Sequence, residues 1–226
     1  MKSVLIIGMG RFGHYLCKEM LEQGNEIMIV DKDEEAIEDM VSNVTSALIA
    51  DCTKESTLKK LGVSNFDVCF VCIGEDFQRN LEITSLLKEL GAQYVVSKSN
   101  SEIHTKFLLR NGADEVIHPD KDIAERAAVK FSNDNISDYI ELQDGYSIYE
   151  ITPLNEWVGK SLKESNIRAV YKVVIIGVID ADGETNITPS PDYVINSEDH
   201  LMVIAHEDDM AQVIKKFEEK KYKGKK

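Results

Sequence analysis

Scarcity narrows the chemistry of this chain before any motif does. None of its apolar runs approaches the ~18 residues that span a bilayer. Met1-Lys2 lead straight into a strand-like segment, without the basic, apolar and small-residue succession of a signal peptide. A cytoplasmic chain is expected. Prolines number four and no low-complexity block interrupts the 226 residues, the composition of a soluble globular protein. Positive charge is in deficit: 26 Lys and Arg against 40 Asp and Glu leave a net charge of −14. Such a surface repels phosphate backbones and argues against nucleic acid as a general partner. It suits basic partners, for example the Lys- and Arg-rich cytoplasmic face of a membrane protein.

Cysteine chemistry is also sparse. Cys17, Cys52, Cys69 and Cys72 are not expected to pair in a cytoplasmic chain. Cys69 and Cys72 have C-x-x-C spacing, but they lie in DVCFVCIG, which reads as a strand. Residues three apart on a strand point to opposite faces and cannot converge on one metal, so both should pack in a core. The histidines make no ligand set either. His200 and His206 flank one strand, His14 follows a glycine turn, His104 starts a helix and His118 precedes a proline.

What the chain does have is a strong alternation. From Lys2 to about Arg126, the apolar runs SVLII, EIMIV, SALIA, DVCFVCI, QYVVS and EVI alternate with amphipathic stretches. Several runs lack the polar alternation of a half-exposed strand, which implies burial on both faces of a parallel sheet covered by helices. Helical spacing is read over Phe12 to Leu21, Asp33 to Val41, Lys54 to Leu61, Phe77 to Leu90, Glu102 to Leu109 and Asp120 to Phe131. Thr53 and Asp76 are the expected N-caps, and Gly62, Gly91 and Gly112 lie where helices should end. The predicted fold is α/β, a Rossmann-like doubly wound parallel sheet.

A second, smaller α+β domain follows. SNDN is a turn cluster; YSIYEI, YKVVIIGVID and HLMVIAH read as strands, ADGE as a hairpin turn, and Asp208 to Glu219 as a closing helix. The expected domains are 1–135 and 136–226, joined near 133–144. Seven lysines between Lys215 and Lys226 make a basic tail, which reads as a solvated end or as a contact for anionic lipid or an acidic partner.

The chemistry concentrates at Gly8-Met9-Gly10-Arg11-Phe12-Gly13. This G-x-G-x-x-G follows a strand, opens a helix, and precedes Asp31 at the end of the second strand, 21 residues after Gly10. The first glycine permits the turn, the second admits a pyrophosphate to the backbone, and the third lets helix and strand pack closely. Phosphates then meet free N–H groups at a helix N-terminus. Asp31 can accept from both ribose hydroxyls and repels a 2′-phosphate, so NADP is disfavoured; Lys32 follows it. Asp51-Cys52 stand where an adenine would lie. Asp51 is read either as an acceptor for the exocyclic amine or as a helix N-terminal residue. Ile73-Gly74-Glu75 end the fourth strand and offer close backbone approach. Lys98 ends the fifth, either reaching a phosphate or simply solvated. Arg11 is unusual in such a turn. Its guanidinium could bind further phosphate oxygens, pointing to ATP or ADP ahead of NAD(H), or could form a surface salt bridge. No proton donor or nucleophile cluster accompanies the turn, so a ligand sensor is expected rather than an enzyme.

In these residues the chain resembles the regulatory subunits of Trk/Ktr-type bacterial potassium transporters. The matching segments are GMGRFG, IVD ending at Asp31, DCT at 51–53, VCIGEDFQRN, GADEVIHPDKD and VGKSLKESNIRAVYKVVIIGVIDADGE. The resemblance spans essentially the whole chain. It implies an RCK (regulator of K⁺ conductance) N-terminal nucleotide-binding domain and an RCK C-terminal domain. It further implies a cytoplasmic homo-dimer assembling into a ring, often an octamer, docked under a membrane-embedded K⁺-translocating subunit. Carried onto this sequence, Gly8, Gly10 and Gly13 cradle phosphates, Arg11 reaches the distal phosphate, Asp31 holds the ribose, and Gly74 and Lys98 lie near the ligand. An acidic residue after His-Pro can hold a divalent cation at the dimer interface in Ktr-type members. Here it is Asp120, where Glu is usual, and a metal is left open. Some relatives bind a cyclic dinucleotide at the C-terminal domain. The alternatives carried forward are a nucleotide-sensing regulator of another channel or transporter, and a small NAD-dependent oxidoreductase.

Overall fold

The computed structural model describes residues 1–223; the last three positions of the basic tail, 224–226, lie outside the described residues. The chain divides into two compact units, Met1–Asp122 and Ile123–Lys226.

The first unit carries six strands: β1 (Ser3–Ile7), β2 (Glu26–Asp31), β3 (Ser46–Ile49), β4 (Val68–Val71), β5 (Val95–Lys98) and β6 (Glu115–Ile117). They form one sheet in the order β3-β2-β1-β4-β5-β6, with every neighbouring pair parallel. Four helices pack on it: α1 (Arg11–Glu22), α2 (Glu55–Leu61), α3 (Phe77–Glu89) and α4 (Glu102–Arg110). The period of two along β1 sorts its side chains. Val4 and Ile6 join Cys17, Ile27 and Ile29 in one apolar layer, while Leu5 and Ile7 join Leu58, Ile83 and Leu87 in the other. Each such burial contributes about 1.5–3 kcal/mol. Central β4 is buried throughout, whereas the edge strand β3 is mostly exposed. Strand order reverses between β1 and β4, and crevices open at such points.

Two local expectations are corrected. Asp33 to Val41 is a run of turns, not a helix, with i→i+3 bonds such as Ile37 N–H to Glu34 O and Met40 N–H to Ile37 O. Asp31 and Asp33 accept from the N–H groups two residues on, at 3.0 and 3.1 Å, a local alternative that competes with starting a helix. Only Ile37 and Met40 of the stretch are buried, three residues apart, which a turn satisfies. The N-cap of α2 is Lys54, without a side-chain bond, because the Thr53 hydroxyl is spent on Asp51. Asp76 does cap α3, accepting from the Arg79 N–H at 3.1 Å, and Gly62 ends α2 in the left-handed region.

The division between units falls within α5 (Pro119–Ser132). The second unit is an antiparallel sheet of β7 (Ile136–Glu141), β8 (Tyr146–Ile151), β9 (Val174–Ile179), β10 (Thr185–Ile187) and β11 (His200–His206), in the order β10-β9-β11-β8-β7. The stretch read as a joint, 133–144, thus contains an edge strand. Short helices α6 (Leu162–Ser165) and α7 (Ile167–Tyr171) and the terminal α8 (Glu207–Lys223) complete the unit. Ser161 and Glu164 form a capping box at α6. The core holds Trp157, Ile195, Leu201 and Val203, each at most 1% exposed.

Candidate functional site

After Ile7 the chain turns through Gly8-Met9-Gly10 into α1. Gly8 has φ +95°, and a side chain there would come within 3.0 Å of Ile73. Gly13 lies in the first turn of α1, where a Cβ would stand 2.2 Å from the Gly8 carbonyl oxygen. Helix and turn approach that closely because neither carries a side chain at the contact. Gly10 is the N-cap of α1, supplies no capping side chain, and has open space where a Cβ would be. The first N–H groups of α1 are therefore left to a ligand or to water.

Asp31 ties this turn to the neighbouring strand. Its Oδ2 accepts from the Met9 N–H at 2.6 Å and its Oδ1 from the Asp33 N–H at 3.0 Å. Each oxygen keeps a lone pair for a further donor. Around the ends of β1, β2, β4 and β5 lies a cleft of about 490 Å³. Gly8, Gly10, Arg11, Phe12, Asp31, Lys32, Cys52, Ile73, Gly74, Glu75, Lys98 and Asp120 line it. Met9, Gly13 and Asp51 do not: the Met9 side chain is in the core, Gly13 backs the turn, and Asp51 is engaged with its neighbours.

The cations of the cleft differ in how they are held. Arg11 is exposed and makes no ion pair among the described residues, so the salt bridge considered for it is not formed. Lys98 is a mostly buried side chain, 15% exposed, and not a solvated strand end. Its ammonium lies 5.7 Å from the centre of the Phe12 ring and 3.8 Å from Asp120 Oδ2. A Cβ on Gly74 would stand 3.2 Å from it, so Gly74 leaves that ammonium its space. Asp120 thus faces an ammonium, and among the described residues no group of three His, Cys, Asp or Glu could hold a metal ion.

Two further residues were not read from the sequence. Arg79 lines the cleft and pairs with Asp51 at 3.1 Å. The Thr53 hydroxyl, the Thr53 N–H and this guanidinium hold the Asp51 carboxyl below its usual range. Asn80 is 2% exposed and donates both hydrogens of its amide, to the carbonyls of Ile73 at 2.6 Å and Lys98 at 2.8 Å. Pairing of β4 with β5 stops at Val71 and Ser97, so the side chain continues the sheet where the ladder has ended. Thr84 donates to Asn80 Oδ1 at 3.2 Å and meets Ser97 Oγ at 2.7 Å. A readable signal existed: Asn80 shares the core-facing stripe of α3 with Ile83, Thr84 and Leu87.

Other reactive-looking groups are quiet. Cys69 and Cys72 pack in different apolar layers. Burial pushes the thiols up, Cys17 to about 11 and Cys52, Cys69 and Cys72 to about 12, away from the thiolate that reacts. In the second unit, Ser137 Oγ at 2.9 Å and Glu150 Oε1 at 2.8 Å both meet Nδ1 of His200. A catalytic triad needs the serine and the carboxylate on opposite ring nitrogens, so this cluster is not one.

Glycine turn, aspartate at the next strand end and cleft at the reversal of strand order define a Rossmann-type nucleotide-binding domain, here followed by a small antiparallel module. Comparison with known proteins gives the family. The TrkA-N domain model matches residues 4–119 and the TrkA-C domain model residues 146–218. The chain belongs to the TrkA family. It is 37% identical to Ktr system potassium uptake protein C of Bacillus subtilis, over 95% of this chain and 97% of that protein. It is also 37% identical to Ktr system potassium uptake protein A of the same organism, over 96% of both chains. Among solved structures, the GsuK RCK domain matches with a TM-score of 0.64 at 17% identity, over 94% of this chain and 47% of that one. The GsuK channel bound to NAD matches with the same TM-score over 93% of this chain and 38% of that one, so the chain spans less than half of these solved chains.

Proposed function

We propose that this chain is a nucleotide-sensing regulatory subunit of a potassium uptake system, and not an enzyme. The observation that carries the reading is the glycine-turn cleft, with Arg11 unpaired and Lys98 at its edge, in a chain alike over nearly its full length to Ktr potassium uptake proteins. A triphosphate suits the cleft: first-turn N–H groups, a guanidinium and an ammonium meet the phosphates, and Asp31 meets the ribose. ATP or ADP is favoured, NAD(H) is next, and the NAD of the GsuK channel supports keeping it in view. The Asp31 carboxylate disfavours NADP.

The partner is a membrane-embedded K⁺-translocating subunit, a reading supported by the likeness to the Ktr system potassium uptake proteins. Copies of the chain pair and close into a ring at the inner face of the membrane, and the ring is the bistable element. A nucleotide that binds one ring geometry better than another shifts the population by that difference in affinity and no more. ATP and ADP differ in one phosphate, which Arg11 is placed to read. A thermal-shift series with ATP, ADP, NAD⁺ and NADH tests the reading. Ligand at 100 times its Kd adds about 2.7 kcal/mol of stability. Stabilisation by an adenine nucleotide is expected; none by any of the four overturns it.

A further inference from the structure

The phosphate and ribose contacts leave two cations of the cleft, Lys32 and Arg79, without a task. Arg79 stands in the first turn of α3 with its side chain 25% exposed, and its Nη2 lies 3.1 Å from Asp51 Oδ1. That oxygen also accepts from the Thr53 hydroxyl at 2.8 Å and the Thr53 N–H at 3.2 Å. Carboxylate and guanidinium are thus held as a unit, and Asp51 itself does not line the cleft. A guanidinium already fixed at one edge loses little freedom when a ligand meets its flat face.

Position along the sheet decides what it would meet. The glycine turn follows β1, Asp31 ends β2, and Asp51 follows β3, so the three lie in order across one half of the sheet. Lys98 ends β5, on the other side of the turn. A nucleotide with phosphates at the turn and ribose at Asp31 therefore runs its base away from Lys98 and toward the end of β3. Cys52 and Arg79 line the cleft there.

Resting on the nucleotide reading above, we propose that Arg79, held by Asp51, contacts the base of the bound nucleotide through the face of its guanidinium. Arginine stacks on aromatic rings by cation–π attraction and planar overlap, and a purine offers more ring than a pyrimidine. Asp51 then acts through Arg79, as the residue that orients it, in place of accepting from the exocyclic amine. The side chain becomes a selector of the base, distinct from Arg11 and Lys98 at the phosphates.

The test compares ATP with UTP, which share ribose and triphosphate and differ in the base. Binding to the full chain is read by titration for ATP and by displacement of ATP for UTP. In the wild type ATP is preferred; in Arg79→Ala the ATP-to-UTP affinity ratio falls by roughly fivefold. Arg79→Gln, which keeps a polar side chain of similar reach, gives the same fall. Equal weakening of both nucleotides would assign Arg79 to the phosphates or to the fold and overturn the proposal. So would an unchanged ratio with unchanged affinities. A wild type that binds neither nucleotide brings down the reading underneath, which separates the two failures.

Discussion

The two units build sheets of similar size and treat their strand ends differently. In the second, antiparallel unit, backbone turns close the ends. Gly183 donates to Asp180 and Tyr146 to Gln143, and the Glu207 N–H reaches the Gly145 carbonyl. Its interior is filled by Trp157, Ile195 and Leu201. In the first unit the strands run parallel, each connection leaves over a face, and the carboxyl ends of β1, β4 and β5 stay open. A buried amide, Asn80, satisfies two of those carbonyls and leaves room beside them. The first unit thus keeps an open cleft at its strand ends, while turns close those of the second.

The contrast can be broken by substitution. Trp157→Ala removes the largest fully buried side chain of the second unit and should cost about 3–5 kcal/mol in denaturant titration. ATP affinity should stay at the wild-type value; a parallel loss of binding would contradict the division of labour. Gly13→Ala drives a methyl against the Gly8 carbonyl and should cost about 2–3 kcal/mol, with nucleotide binding lost as the turn moves. Retained ATP affinity in that variant would show that the turn is not the phosphate site. Asn80→Ala strands two carbonyls that no ladder bond reaches and should cost about 2 kcal/mol. Its ATP affinity should fall as well, because the ends of β4 and β5 lose their tie.

The smallest effect is one of pH. Burial works to lower the pKa of His14, but Asp39 at 3.0 Å and the Gly10 carbonyl at 3.2 Å outweigh it, and the folded value lies above 6.5. A raised folded pKa contributes stability that is complete below the unfolded value and is lost as pH rises through the folded one. Denaturation midpoints should therefore decline modestly from about pH 6 to pH 8, and Asp39→Asn should flatten the decline. A slope unchanged in Asp39→Asn would remove the pair from the account.

Much of this was legible in the sequence. Continuous apolarity in VLII and VCFV marks strands buried on both faces, and the glycine spacing with Asp31 locates the cleft. Where reading failed, local polarity hid tertiary roles. The apolar spacing of Ile37 and Met40 matches a helix as well as a turn, and the acidic residues around them decide for the turn through their own side-chain bonds. β7 pairs with β8 alone and carries Ser137, Asp138 and Glu141, so its edge position made it resemble a linker. Arg79 and Asn80 lie one turn into a helix, and only the fold brings them to the ends of β3, β4 and β5.

The proposed function rests on an adenine nucleotide in the glycine-turn cleft and on Arg11 reading its last phosphate. Calorimetric titration of the wild type and Arg11→Ala with ATP and with ADP tests it most directly. Both ligands should bind the wild type, and Arg11→Ala should narrow the ATP-to-ADP affinity ratio while ADP affinity is nearly kept. An unchanged ratio, or no binding of either nucleotide to the wild type, would contradict it.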